Sequence, residues 1–212
     1  IYGSCSAIME NYDRLKKEQT WKLLGEMKED AEWLIRMVEN LLSVTRLDGN
    51  AASVVKRPIV LEELIDAVLV KFKKRYPNQP VQVQIPDQFV SIPMDAMLIE
   101  QVLINILENA VFHAGNISLL SLRVFLSGPR AVFEISDDGC GIPKDRLNTL
   151  FSGYSGKGPA PADGNKHGMG IGLSVCATII RAHGGDMQAE SRAGKGTVMR
   201  FSLETEDVEH EQ

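Results

Sequence analysis

Long apolar runs are missing from this 212-residue chain. Nothing in it approaches the roughly 20 consecutive apolar residues that a helix needs to cross a bilayer, and no signal-peptide pattern stands at its start. Cysteine is scarce: Cys5, Cys140 and Cys176 lie far apart and form no C-x-x-C pair, which excludes a disulfide framework and a cysteine zinc site. Clustered positive charge is missing too. The formal net charge is -5, which argues against nucleic acid as a partner, because phosphate backbones are held by grouped Lys and Arg. No two of His113, His167, His183 and His210 are spaced like metal ligands, and no internal repeat is visible. Neither standard phosphate motif is present. The Gly168–Gly172 run is not G-x-G-x-x-G after a strand, and the pairs Gly156-Lys157 and Gly194-Lys195 are each followed by glycine where a P-loop needs Ser or Thr.

What is present suffices for a packed domain plus something smaller: 44% of residues are hydrophobic and 24% charged. Residues 1–17 read as the tail of a helix and 20–47 as a longer one. Leu24, Ala31, Val38 and Thr45, with Met27, Leu34 and Leu41, recur every seven residues, and Ile35 and Leu42 widen the stripe. That is the seam of a helical hairpin expected to dimerise, although a helix packed on its own domain would show a similar stripe. The chain opens on Ile1 inside this helical pattern, so more chain is expected upstream. Strands are expected at 54–60, 81–85, 89–92, 118–126, 131–136, 186–191 and 197–203, with Val81, Val83 and Ile85 on the dry side of theirs. Helices are expected at 61–75, 95–112 and 170–183. The end, Glu204 to Gln212, carries five acidic side chains and reads as a solvated tail. The resulting division is 1–50 partial helical bundle, 51–204 α/β domain and 205–212 tail.

The candidate chemistry sits between residues 105 and 197. Asn105 and Asn109 lie one turn apart at the edge of the apolar arc Val102, Leu103, Ile106, Leu107, Ala110. Neutral amide oxygens at that spacing suit a hard cation such as Mg²⁺, which keeps several waters and takes other ligands from phosphates. Two boundary asparagines without a role would look the same in that helix taken alone. Period-2 alternation carries Asp137 onto the face of Phe133 and Ile135, and Asp138 onto the other. A carboxylate on a core face needs hydrogen bonds, which a purine amine would supply, whereas a plain turn aspartate would not need one. Gly139 and Gly141 permit close approach of a flat ligand or simply make the turn. Gly168, Gly170 and Gly172 precede an apolar helix whose free N–H groups suit phosphate. Thr197 shares a face with Met199, Phe201 and Leu203, so its hydroxyl needs a partner, with Asp137 or its ligand as candidates. His183 reads as a helix C-terminal residue, a place that favours a cation. The stretch 152–167 has almost no apolar anchor beyond Tyr154 and is expected to be a lid, mobile without nucleotide.

Order and spacing carry a resemblance that no single signal does. Asn105-x-x-x-Asn109, Asp137-x-Gly139-x-Gly141-Ile142-Pro143, Leu150-Phe151, Gly168-x-Gly170-x-Gly172-Leu173 and Gly194-x-Gly196-Thr197 resemble the N, G1, F, G2 and G3 boxes of sensor histidine kinases. The likeness covers residues 55–204, and the first 50 residues resemble the dimerisation module of that family, cut short. Leu103–Val111 and Ile180–Gly185 resemble the osmosensitive potassium-channel branch of these kinases. The resemblance implies a two-layer α/β sandwich of the GHKL (Bergerat) ATP-binding type with an N-terminal helical hairpin. It implies ATP and Mg²⁺ as ligands, a homodimer, a response regulator as partner, and the cytoplasmic part of a membrane-anchored sensor. Asn109 would hold Mg²⁺, catalytic Asn105 would lie near the γ-phosphate, and Asp137 would accept from the adenine amine. Gly139 and Gly141 would shape the base pocket, and Ile142 and Thr197 would contact the nucleotide. Phe151 would anchor the lid, while His113, Lys157, Gly168, Gly170, Ile171, Gly172 and Leu173 would complete the nucleotide contacts.

Related gyrase-type ATPases carry a water-activating glutamate where this chain has Asn105, an amide that cannot be a base. That favours phosphoryl transfer over hydrolysis. A nucleotide-binding switch without kinase activity and a gyrase-like ATPase stay as alternatives. Two departures stand out. Phe112 and His113 replace the usual Lys and Tyr, so either a phosphate contact is missing or a lid residue such as Lys157 or Lys166 replaces it. The acceptor histidine is absent, and the pattern places it within about three helical turns before Ile1. The chain is therefore expected to bind ATP without labelling itself.

Overall fold

A computed structural model of the chain describes residues 1–12, 14–48, 54–115, 117–151 and 171–205. Two helices open it, α1 (Tyr2–Glu10) and α2 (Lys17–Asp48), with the α-amino group of Ile1 2.6 Å from the Asp30 carboxylate. The expected hairpin is therefore present, with its break at 11–16. Leu24, Leu34, Ile35 and Val38 of the seam are 45–54% exposed. Helix α2 also packs within the chain, against a late helix, α6 (Ile171–Ala182).

Between them lie β1 (Arg57–Val60), α3 (Leu61–Arg75), β2 (Gln82–Gln84), β3 (Ser91–Met94), α4 (Ala96–His113), β4 (Leu120–Ser127), β5 (Arg130–Asp137) and the one-turn α5 (Lys144–Leu147). After α6 come β6 (Asp186–Ser191) and β7 (Thr197–Glu204). Helix α3 buries Leu61, Leu64, Ile65, Val68 and Phe72 at helical spacing. Its dipole is complemented by Glu62 and Glu63 in the first turn and Lys73, Lys74 and Arg75 in the last. Helix α4 is capped by Asp95, whose Oδ1 accepts from Met97 N at 3.1 Å and Leu98 N at 3.3 Å.

The five-stranded sheet runs β2-β4-β5-β7-β6, with β2 parallel to β4 and the other pairs antiparallel; β1 and β3 form a separate two-stranded sheet. One sheet face is dry. Leu122, Phe133, Ile135 and Phe201 on it are nearly inaccessible, and the rings of Phe133 and Phe201 stack at 4.6 Å across β5 and β7. Helices α4 and α6 pack on each other and contact the sheet, which makes the expected two-layer α/β sandwich. The opposite face keeps charge: Arg200 reaches Glu134 and Glu190, both at 2.6 Å. Strand β2 departs from expectation. All three of its residues are exposed, Val83 included, because β2 is an edge strand and only the flanking Val81 and Ile85 reach the core.

His183 is a second correction. It sits just past the end of α6, yet it is 2% exposed and not a cation. Its Nδ1 donates to the Ile179 carbonyl at 2.8 Å, and its Nε2 accepts from the Asp95 N–H at 3.1 Å, which ties α6 to the start of α4. Burial pushes its pKa below 6.5, with the Ile179 bond opposing and the nearby Lys56 charge assisting. The unfolded chain therefore takes up a proton before the native state does. The stability from neutral His183 is fully present above pH 6.5 and is lost as pH falls through the lower native value. Urea midpoints measured from pH 7.5 to 5.5 should fall for the wild type, and His183→Gln should flatten that slope.

Candidate functional site

Strand β5 ends on Asp137, which continues the inner face of Phe133 and Ile135 and is half-buried. Burial raises its pKa above the ordinary 3.8, while backbone N–H groups of Gly139 and Thr197 oppose the rise by donating to it. The Gly139 bond is 2.9 Å long. Asp138 turns the other way and does structural work. It accepts from the N–H groups of Ser118 and Leu119 at 3.0 and 2.9 Å and from the Ser118 hydroxyl. The Ser118 hydroxyl and Leu119 amide bonds hold its carboxyl below the usual range.

The glycines after Asp137 approach backbone. A Cβ on Gly139 would come within 2.2 Å of Ala114 Cβ, and one on Gly141 within 2.2 Å of the Arg192 carbonyl oxygen. Cys140 N donates to Ala114 O at 2.8 Å, which brings the end of α4 against the end of β5. On the other side, Gly194 N donates to Cys140 O at 2.7 Å and Gly196 N to Gly139 O at 2.9 Å. The 139–141 loop is thus stitched between the α4 terminus and the β6–β7 turn. Ser191, which gave no sequence signal, is the polar hub of that seam. Its Oγ accepts from Ile142 N at 2.7 Å, donates to Gly196 O at 2.8 Å and lies 3.0 Å from Thr197 Oγ1. The inward Thr197 hydroxyl therefore finds Ser191, where Asp137 or its ligand was expected.

On α4, Asn105 is 6% exposed and faces α6. Its Nδ2 lies 3.7 Å from Cys176 Sγ, and its Oδ1 accepts from Gln101 Nε2 at 3.4 Å. Burial pushes the Cys176 thiol up to about 12, so Cys176 stays a neutral packing and hydrogen-bonding group. Asn109, one turn on, is half-buried. Phe112 points elsewhere: its ring meets Tyr76 edge-on at 5.9 Å, and Tyr76 lies 5.0 Å from Phe72 of α3. Phe151 is half-buried against the core, Ile142 is half-buried, and Leu173 is buried. Gly172 lies in the first turn of α6. His113 ends α4 and Ile171 begins α6, but their side chains fall outside the described residues, as do Lys157, Gly168, Gly170 and the expected lid, 152–167.

The arrangement brings Asp137, Gly139, Gly141, Ile142 and Thr197 together, with Ala114 at the end of α4 beside them. A separate open cavity of about 310 Å³, lined by Ile85, Asp87, Arg123 and Phe125 among others, lies at the β2 edge away from this cluster. Among the described residues no group of three His, Cys, Asp or Glu side chains could hold a metal, and no helix is long and apolar enough to cross a membrane.

Residues 94–207 match the model of the HATPase_c family, "Histidine kinase-, DNA gyrase B-, and HSP90-like ATPase". The chain belongs to this family. As a member of the histidine kinase-, gyrase B- and HSP90-like ATPases it carries an ATP-binding domain, and its likenesses lie on the histidine kinase side. It is 34% identical over 206 residues to "Sensor protein KdpD" of Clostridium acetobutylicum, covering 97% of this chain and 23% of that protein. It is 31% identical to "Adaptive-response sensory kinase SasA" of Synechococcus elongatus, covering 79% of this chain and 43% of the other. The first of these fits the narrower resemblance carried by 103–111 and 180–185. The chain spans less than half the length of both relatives. In fold it is similar to the Acinetobacter baumannii histidine kinase AdeS, with a TM-score of 0.69 at 19% identity over 97% of this chain and 93% of that one. The catalytic domain of histidine kinase ThkA gives 0.57 at 25% identity, over 70% and 95%.

Proposed function

We propose that the chain is the catalytic part of a sensor histidine kinase, taking Mg-ATP and passing its γ-phosphoryl group to a histidine of the helical module for relay to a response regulator. The observation that carries this reading is the inward Asp137 carboxylate, held by two backbone N–H groups on the inner sheet face beside the end of α4. Asp137 accepts from the adenine amine. Gly139, Gly141 and Ile142 hold the base loop in place, and Thr197 lines it. Asn109 would hold Mg²⁺ through a neutral amide oxygen. That donor suits a cation whose other ligands are phosphates and water, and no carboxylate cluster competes for it among the described residues. When bound, such an ion neutralises phosphate charge.

Asn105 lies near the γ-phosphate as an amide and supplies positioning, since it cannot accept a proton from water. In the transfer, the bond from the terminal phosphorus to the bridging oxygen of ADP breaks and a bond to an imidazole nitrogen forms. In this reading the Gly168–Gly172 segment, with Gly170 and Ile171 in it, faces the phosphates, His113, Lys157 and Leu173 complete the nucleotide contacts, and Phe151 anchors the covering segment. Phe112 is committed to Tyr76, so the cation opposite the phosphates comes from the 152–170 segment, with Lys157 the first choice.

The exposed seam Leu24, Leu34, Ile35 and Val38 supports a homodimer through residues 1–50, with 51–204 as the catalytic domain and 205–212 as a tail. The names of the relatives, a sensor protein and a sensory kinase, support a sensor, and in this reading the chain is the cytoplasmic part of one anchored in a membrane. Incubation with γ-labelled ATP, Mg²⁺ and a histidine-bearing helical hairpin should place acid-labile label on the hairpin. Steady release of inorganic phosphate without label on the hairpin would point instead to an ATPase.

A further inference from the structure

We propose that Ser191 is a positioning residue for base selection: it fixes the Thr197 hydroxyl as an acceptor beside Asp137, so that the pocket takes a 6-amino purine and rejects a 6-oxo purine. The inference deepens the nucleotide reading above and rests on it. It follows from counting protons. A serine hydroxyl has one proton and two lone pairs. The Gly196 carbonyl, 2.8 Å away, can only accept, so the Ser191 proton goes there. The Ile142 N–H fills one lone pair at 2.7 Å. Thr197 Oγ1, at 3.0 Å, can then meet Ser191 only by donating its own proton.

Thr197 is left with lone pairs alone for anything else. It pairs across β5 and β7 with Asp137, on the same inner face, and is 6% exposed. Cross-strand neighbours of this kind stand about 5 Å apart at Cβ. The Asp137 carboxylate is also an acceptor. An amino group brings two N–H donors, one for each acceptor, whereas a 6-oxo purine brings a single donor, its N1–H, beside a carbonyl oxygen that can only accept, and so leaves one buried acceptor facing another. Ser191 touches no ligand in this scheme and acts through Thr197 alone.

The test is equilibrium binding of ATP and inosine triphosphate to the whole chain by calorimetry. The wild type should prefer ATP by about a hundredfold, the scale of one unpaired polar edge in a hydrogen-bonding site. In Ser191→Ala the Thr197 hydroxyl is free to turn its proton toward a ring oxygen, and the preference should fall about tenfold, a loss of one hydrogen bond's worth of discrimination. ATP affinity itself should change less. Ser191→Thr keeps a hydroxyl at that place and should restore the preference. A merely structural serine would weaken both nucleotides alike, so an unchanged ratio in Ser191→Ala overturns the proposal. Should that variant fail to fold, Thr197→Val leaves the Ser191 bonds to Ile142 and Gly196 intact and must show the same fall; a retained ratio there overturns it equally. Asp137→Asn separates the two levels. If it leaves ATP affinity untouched, the nucleotide reading fails and this proposal with it. If it weakens ATP while Ser191→Ala keeps the wild-type ratio, only the role of Ser191 fails.

Discussion

Asp137→Asn is expected to weaken ATP binding by roughly 10- to 150-fold while leaving the fold as stable as the wild type, or more so. The affinity loss is the value of a hydrogen bond to a charged group, about 1.5–3 kcal/mol. The stability side follows from the direction of the pKa. Burial raises Asp137 above 3.8, so the native state holds its proton more tightly than the unfolded chain. The stability linked to that proton is present below pH 3.8 and lost as pH rises through the native value, so at neutral pH the buried charge is a cost. An asparagine keeps an oxygen for the Gly139 and Thr197 N–H groups and removes the charge. Calorimetric titration with ATP and thermal melts at pH 7.5 check both halves. A variant that melts well below the wild type would make Asp137 a structural residue.

Gly196→Ala should be among the most damaging single methyl additions in the chain, and Gly194→Ala, two residues away in the same turn, should be mild. Both glycines have positive φ, 76° and 73°, so each substitution bears the left-handed backbone strain of about 1–2 kcal/mol. The difference lies in what the new carbon meets. At Gly194 nothing stands within 4 Å, whereas at Gly196 the Cβ would fall 1.9 Å from the Asp137 carbonyl oxygen. That oxygen belongs to the β5 backbone and cannot step aside like a side chain. Overpacking adds roughly 1–3 kcal/mol to the strain, and relieving it means parting the β6–β7 turn from the Asp137 loop. Gly196→Ala should therefore lose several kcal/mol, on the order of 3, and lose ATP binding with it. Equal melting temperatures for the two variants would remove the steric argument.

Local pattern made most of the fold legible. Helix α3 occupies the residues that its apolar spacing marks, from Leu61 to Arg75, and α4 starts at the aspartate a cap requires. The seven strands of the described residues fall within a few residues of the β-rich runs. Asp137 shows on its inner face because period 2 survives to the end of β5. What stayed hidden depends on partners far along the chain. His183 looks like a helix-end cation until the Asp95 N–H, 88 residues earlier, occupies Nε2. Val83 alternates like a dry-side residue, but alternation cannot say that β2 is an edge strand. Gly139 and Gly141 announce close approach without saying to what, and the neighbours are Ala114 and Arg192. Ser191 carries no local signal, because its role is set by three groups that reach it from two other segments.

The sheet order has a consequence for how the protein is made. Strand β7, near the C-terminal end, inserts between β5 and β6, and its first residue, with Gly196 before it, closes the seam over Asp137. A ribosome must therefore emit the chain through β7 before any base pocket exists. Until then, the half-made sheet carries an unpaired β5 edge and cannot be rescued by nucleotide.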